Sequence, residues 1–151
     1  MKEFVVPKTD TKAQGPVKLE YAFRLTARYD APRSSKTPKG TFRYQDIVGG
    51  EIKGARLKAT VYPDVGGQYD TVREDKVRDV DAHFIVKADN GDWIYIEHVG
   101  YRTPQGYHRA IAYIEADEKG AHEWLNDTTF VVTARESADE REVVFDYYIA
   151  N

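Results

Sequence analysis

The chain contains no cysteine. Disulfides, thiolate nucleophiles, iron–sulfur clusters and cysteine-type zinc sites are therefore excluded. It has a single methionine, and leucine is scarce, which argues against a helical bundle. No apolar run approaches the roughly 18 residues of a membrane-crossing helix. Basic residues number 22 and acidic residues 25, for a formal charge of −3. That balance lacks the basic excess expected of a nucleic-acid or anionic-membrane partner. The opening Met1-Lys2-Glu3-Phe4-Val5-Val6-Pro7-Lys8 has no long apolar stretch of the secretory-signal kind, so a cytoplasmic location is expected. Phosphate loops are missing too, because Gly49-Gly50 and Gly66-Gly67 fit neither a GxGxxG nor a GxxxxGK pattern. No G-x-S-x-G nucleophile elbow occurs, and Ser34, Ser35 and Ser137 fall in segments that read as loops. No cofactor is expected.

What the chain has in quantity is tyrosine. Eleven Tyr, six Phe and two Trp make up 13% of its 151 residues, and Tyr suits half-buried pleated surfaces and pocket walls. Residues 1–16 are polar, carry Pro7, Gly15 and Pro16, and read as an N-terminal arm. A single domain over 17–151 follows. Leu19, Tyr21, Phe23, Leu25, Ala27 and Tyr29 alternate with mostly polar residues, which is the period of a long half-buried strand. Residues 30–40, with Pro32 and Pro38, read as a loop. Further strands are expected over 41–48 (ended by Gly49-Gly50), 55–62, 80–86, 93–99, 107–116, 128–135 and 142–149, with Pro63 to Gly67 as a loop. One short helix is expected near 117–125. About eight strands without intervening helices predict an all-β fold, and a closed antiparallel β-barrel is preferred because closure removes exposed strand edges.

Between two of these strands stands Asp89-Asn90-Gly91-Asp92, a strong hairpin signal. If Asn90-Gly91 is a two-residue turn, Asp89 pairs with Asp92, Ile85 faces Ile96 and His83 faces His98. Asp81 then shares the face of both histidines. An Asp81–His83–His98 cluster could transfer protons near neutral pH. It could also hold a metal of the two-His, one-carboxylate type, or be a partly solvated structural pair. No further protein ligand is evident, so no metal is assigned. In the same register Glu97 shares the opposite face with Phe84 and Tyr95, either as a general acid or base or neutralised by Arg109 or Arg43. His108 and His122 lie in polar surroundings and are expected at the surface. Trp124 is expected to plug a barrel end.

Several motifs occur in a suggestive order. They are Gly40-Thr41-Phe42-Arg43-Tyr44, Ile47-Val48-Gly49-Gly50-Glu51-Ile52-Lys53-Gly54, Gly66-Gly67-Gln68-Tyr69, Val80-Asp81-Ala82-His83-Phe84, Asn90-Gly91 with Ile94-Tyr95-Ile96, Gly100, and Trp124-Leu125-Asn126. Together, over roughly 17–149, they resemble a small β-barrel family, the domain of unknown function 3237, also called the UPF0311 type. His83 and His98 stand where that family often has Arg and Asn, and Gln68 stands where it has an acidic residue. The resemblance implies an interior polar pocket, to which Asp81, His83 and His98 belong. By motif position it adds Arg43, Gln68, Tyr69 and Asn126 as ligand contacts, and Tyr95, Glu97, Arg109 and Tyr113 complete the candidate set. The favoured function is small-molecule binding inside the barrel. The alternative is a cofactor-independent acid–base enzyme (an isomerase, cyclase or lyase) with His98 or His83 as base, oriented by Asp81. The expected partner is a small ligand or substrate, and the Tyr-rich outer faces could support a homodimer or higher homo-oligomer.

Overall fold

Strands dominate because β-branched and aromatic residues alternate with polar ones along most of the chain. The computed structural model describes residues 15–151. The expected N-terminal arm lies outside the described residues except for Gly15 and Pro16, which are exposed. Eleven strands follow: β1 Leu19–Tyr29, β2 Arg33–Thr37, β3 Gly40–Gln45, β4 Ile47–Gly54, β5 Ala59–Val61, β6 Gly67–Val72, β7 Arg78–Ala88, β8 Trp93–Arg102, β9 His108–Glu115, β10 Phe130–Glu136 and β11 Glu142–Ala150.

These segments make a closed antiparallel barrel of eight staves. β1 pairs with β4 while β2 pairs with β3, so β1 and β2 form one bent stave and β3 and β4 the next. β5 and β6 take successive stretches of the same edge of β7. The order continues from β4 through β1, β11, β10 and β9 to β8, and β7–β8 pairing closes the ring. Residues 33–37, expected as loop, are instead the exposed strand β2. The Gly49-Gly50 pair does not end a strand but lies within β4. At Gly50 a Cβ would come within 2.3 Å of the Thr26 carbonyl, so the close approach of β4 to β1 requires glycine.

The barrel is filled by the inward-facing set: Phe23, Leu25, Ala27, Ile52, Val61, Phe84, Val86, Ile96, Phe130, Val132, Phe145 and Tyr147 are all buried. A bulge between Tyr21 and Phe23 shifts the β1 register, so Leu19 and Tyr21 leave the core face that their spacing suggested. The expected helix is reduced to turns and a short 3-10 segment, Glu123–Asp127. Leu125 of that segment is buried, and Trp124 packs against Phe130 under the Arg56 guanidinium. No helix among the described residues is long and apolar enough to cross a membrane.

Candidate functional site

The hairpin that joins β7 to β8 determines where Asp81, His83, Tyr95, Glu97 and His98 point. Its loop has three residues, not two. The Gly91 amide donates to the Ala88 carbonyl at 2.9 Å, and the Ala88 amide donates to the Asp92 carbonyl at 2.8 Å. Gly91 has φ +93. This is a type I turn followed by a left-handed residue, the usual geometry of a three-residue hairpin. The pairing consequently differs by one residue from the expected one. Ala82 faces His98, His83 faces Glu97, Phe84 faces Ile96 and Ile85 faces Tyr95. Because side chains alternate, a one-residue slip turns one strand's side chains to the other face.

The Asp81–His83–His98 cluster is thereby divided. His98 lies inside the barrel at 1% exposure, tilted against Phe145, stacked on Tyr147 and edge-on to Phe84. Its Nδ1 is 3.3 Å from the Tyr147 hydroxyl. Burial pushes the His98 imidazole down to about 3, with smaller contributions from His108 and His83. It is therefore a neutral core group. Asp81 and His83 face outward with Tyr95 and Glu97, all four part-buried on adjacent strands. His83 Nε2 is 2.9 Å from Asp81 Oδ1 and 4.0 Å from Glu97 Oε1. His83 Nδ1 is 2.8 Å from the Tyr95 hydroxyl, which donates to Glu97 Oε2 at 3.1 Å. Glu97 thus does not sit on the Phe84 face, and it pairs with neither Arg43 nor Arg109.

Beside these four residues the outer wall holds a groove of about 930 Å³. Tyr69 and Asp81 line one side, and Val99, Tyr101, Arg109, Ile111 and Tyr113 line the other. Tyr101 and Tyr113 are 53% and 61% exposed, so the groove presents aromatic faces to solvent. The Tyr69 ring stands edge-on to His83 at 5.7 Å. Arg109 lies over the Tyr107 ring and donates to the His108 carbonyl at 2.9 Å. It has no carboxylate within 4.0 Å among the described residues, whereas Arg73 across the groove is held by Asp75 and Asp79. Of the expected candidates, Asp81, Tyr69, Arg109 and Tyr113 therefore line one outer groove, with His83, Tyr95 and Glu97 beside it.

Arg43, Gln68 and Asn126 are placed elsewhere. Gln68 is inside the barrel, donating to Asp70 at 2.7 Å and accepting from the Tyr29 hydroxyl at 3.2 Å. Arg43 is inside too, paired with Glu140 and 3.9 Å from Asp70. Arg78 completes this buried network, 2.9 Å from Glu136, 3.5 Å from Glu140 and 3.6 Å from Asp70. Burial pushes the Asp70 carboxyl up to about 6, against the opposing pull of Gln68 and Arg78. His108, expected at the surface, is 3% exposed at this end of the barrel. Desolvation, with Arg102, Arg78 and Arg109 nearby, pushes it down to about 4. Asn126 clamps the chain, accepting from the Ala116 amide at 2.7 Å and donating to its carbonyl at 3.0 Å. Arg43, Gln68, Asp70 and Arg78 thus pair with groups of the interior rather than with the groove. The groove residues that sequence reasoning missed, Val99, Tyr101, Tyr107 and Ile111, were legible as outward positions once the β8 and β9 alternation was extended to both strand ends.

The profile of the family described as "Protein of unknown function (DUF3237)" matches residues 17–150. A UPF0311 protein of Rhodopseudomonas palustris is 31% identical over 84 residues, covering 55% of this chain and 54% of that protein, so the chain spans about half the length of this relative. A UPF0311 protein of Bradyrhizobium diazoefficiens is 28% identical over 162 residues, covering 95% of this chain and 98% of that protein. Among solved structures, a conserved protein of unknown function from Rhodopseudomonas palustris superposes with a TM-score of 0.83 at 24% identity, over 91% of this chain and 100% of that one. An enzyme from Penicillium herquei superposes with a TM-score of 0.76 at 18% identity, over 93% of this chain and 98% of that one. At these identities the superpositions bear on the fold alone.

Proposed function

The chain belongs to the DUF3237 family of proteins of unknown function, and from that premise we propose that it binds a small aromatic molecule carrying an acidic oxygen, on the outer wall of the barrel. The carrying observation is the groove itself, with tyrosines on both sides and an Arg109 that has no carboxylate within 4.0 Å among the described residues. Tyrosine rings supply flat apolar contact, and a few convergent polar groups fix orientation. An arginine without a carboxylate partner gives an acidic ligand its counter-charge. The filled interior argues for the wall rather than the lumen as the binding place.

The probe for this reading is 8-anilinonaphthalene-1-sulfonate, an aromatic anion that fluoresces when bound. Arg109→Ala and Tyr101→Ala each weaken its binding by about tenfold, a loss of about 1.4 kcal/mol. Trp93→Ala, at an exposed position outside the groove, leaves binding unchanged. Equal affinity of both groove variants and the parent protein rejects the reading.

One observation favours a second reading, acid–base catalysis. Asp81 belongs both to the groove wall and to the His83–Tyr95–Glu97 chain, so a proton-transfer group stands at the groove edge. The base would be His83, since His98 is sealed inside the barrel. The Penicillium herquei protein of the same fold is described as an enzyme.

A further inference from the structure

The hydrogen bonds around His83 determine which ring nitrogen carries its proton. The Tyr95 hydroxyl has one proton and gives it to Glu97 Oε2 at 3.1 Å, because a carboxylate oxygen can only accept. The same hydroxyl oxygen must then accept from His83, whose Nδ1 is 2.8 Å away. Nδ1 therefore carries the hydrogen, and Nε2, left with only its lone pair, lies 2.9 Å from Asp81 Oδ1 with no hydrogen bond between them. Asp81 Oδ1 is shielded from solvent and has no hydrogen-bond partner. Two acceptor atoms this close repel each other unless they share a cation.

We propose that Asp81, His83 and Glu97 bind a divalent first-row transition ion of the Zn2+ or Co2+ type, with Tyr95 orienting the imidazole. The donor atoms of these three residues all lie within 4.8 Å of one another. Metal bonds of about 2.0–2.2 Å hold neighbouring ligands roughly 3 Å apart, a spacing the pair of His83 and Asp81 already has. One neutral imidazole and two carboxylates match the charge of a divalent ion, and the mixed nitrogen and oxygen set suits first-row metals better than Ca2+. A ligating histidine normally donates its other N–H to a fixed acceptor, and here that acceptor is Tyr95, itself anchored by Glu97. Pairing fixes the arrangement: His83 and Glu97 are direct cross-strand partners, and Asp81 is two residues before His83 on the same face. The cluster is part-exposed, so coordination positions beyond these three remain open, as in catalytic rather than structural sites. This inference does not rest on the groove's ligand.

The test is titration of chelator-treated full-length protein with Co2+, followed by its visible absorbance, and with Zn2+, followed by calorimetry. The expected result is one ion per chain. His83→Ala weakens binding by at least about 100-fold, Glu97→Gln weakens it strongly, and Tyr95→Phe, which keeps all three ligands, weakens it by about tenfold. His122→Ala, which removes a second part-buried His–Asp contact, His122 with Asp92, leaves it unchanged. Absence of stoichiometric binding overturns the proposal, as does full retention of binding by a folded His83→Ala protein. In that event a second proton on Nε2 is the cation that joins His83 to Asp81.

Discussion

His83 and His98 occupy neighbouring strands of one hairpin and live in opposite environments. His98 is enclosed by Phe84, Phe145 and Tyr147, with a single polar contact. His83 stands on the outer wall among Asp81, Tyr95 and Glu97, with a hydrogen bond at Nδ1 and a carboxylate oxygen 2.9 Å from Nε2. One imidazole serves as a neutral packing group, and the other is held by polar neighbours in a fixed tautomer. The inner side of β7 and β8 is thus buried core, and the outer side gathers titratable side chains.

The sharpest way to break this comparison is through the inner face. Phe84→Ala removes a fully buried ring that touches His98 and Phe145, and it lowers unfolding free energy by about 3–5 kcal/mol in urea denaturation. The next effect is on pH dependence. His98 and His108 hold fewer protons folded than unfolded, since burial pushes them down to about 3 and about 4. Their contribution to stability is present above about 6.5 and is lost as pH falls through those values. Asp70, pushed up to about 6, acts in the opposite sense between about 4 and 6, because its folded carboxyl keeps the proton longer. Two groups oppose one, so the melting temperature falls as pH drops below about 6.5. His98→Leu flattens that acid limb, at a cost of about 1–2 kcal/mol at pH 7 from the unpartnered Tyr147 hydroxyl. A limb as steep as that of the parent protein would show that His98 does not drive it. The smallest effect belongs to the outer face. His83→Ala changes stability by no more than about 1 kcal/mol. Under the acid–base reading it also abolishes proton abstraction from 5-nitrobenzisoxazole, a general-base probe, while leaving anilinonaphthalenesulfonate binding intact. An undiminished rate excludes His83 as the base.

Much of the barrel was legible because alternation is a local signal. Leu25, Ala27 and Tyr29 point inward on β1 as their spacing predicts, and His108, Ala110, Ala112 and Ile114 face inward on β9. Segments with weak side-chain patterns were less legible. β6 begins at Gly67, where a glycine pair reads as loop, and β2 is wholly exposed, with no apolar face to reveal it. Of the candidate site, the outward Tyr69, Arg109 and Tyr113 line one groove. Arg43 and Gln68 instead belong to the interior network, because Arg43 pairs with Glu140 and Gln68 accepts from the Tyr29 hydroxyl, partners distant in sequence.

The sequence by itself determined the residue types and their two-residue period, and with them an all-β chain whose aromatic stripes must be covered. It also placed a turn at Asp89-Asn90-Gly91. Only the tertiary structure decided which face of the hairpin is buried. Asn-Gly is compatible with a two-residue or a three-residue loop, and the two differ by one position in register. The choice is made by the core, which takes Phe84, Ile96 and His98 together between the walls of a closed barrel. Burying that set with Ala82 and Val86 turns Asp81, His83, Tyr95 and Glu97 outward as a group. The cluster on the outer wall is thus a consequence of packing on the inner one.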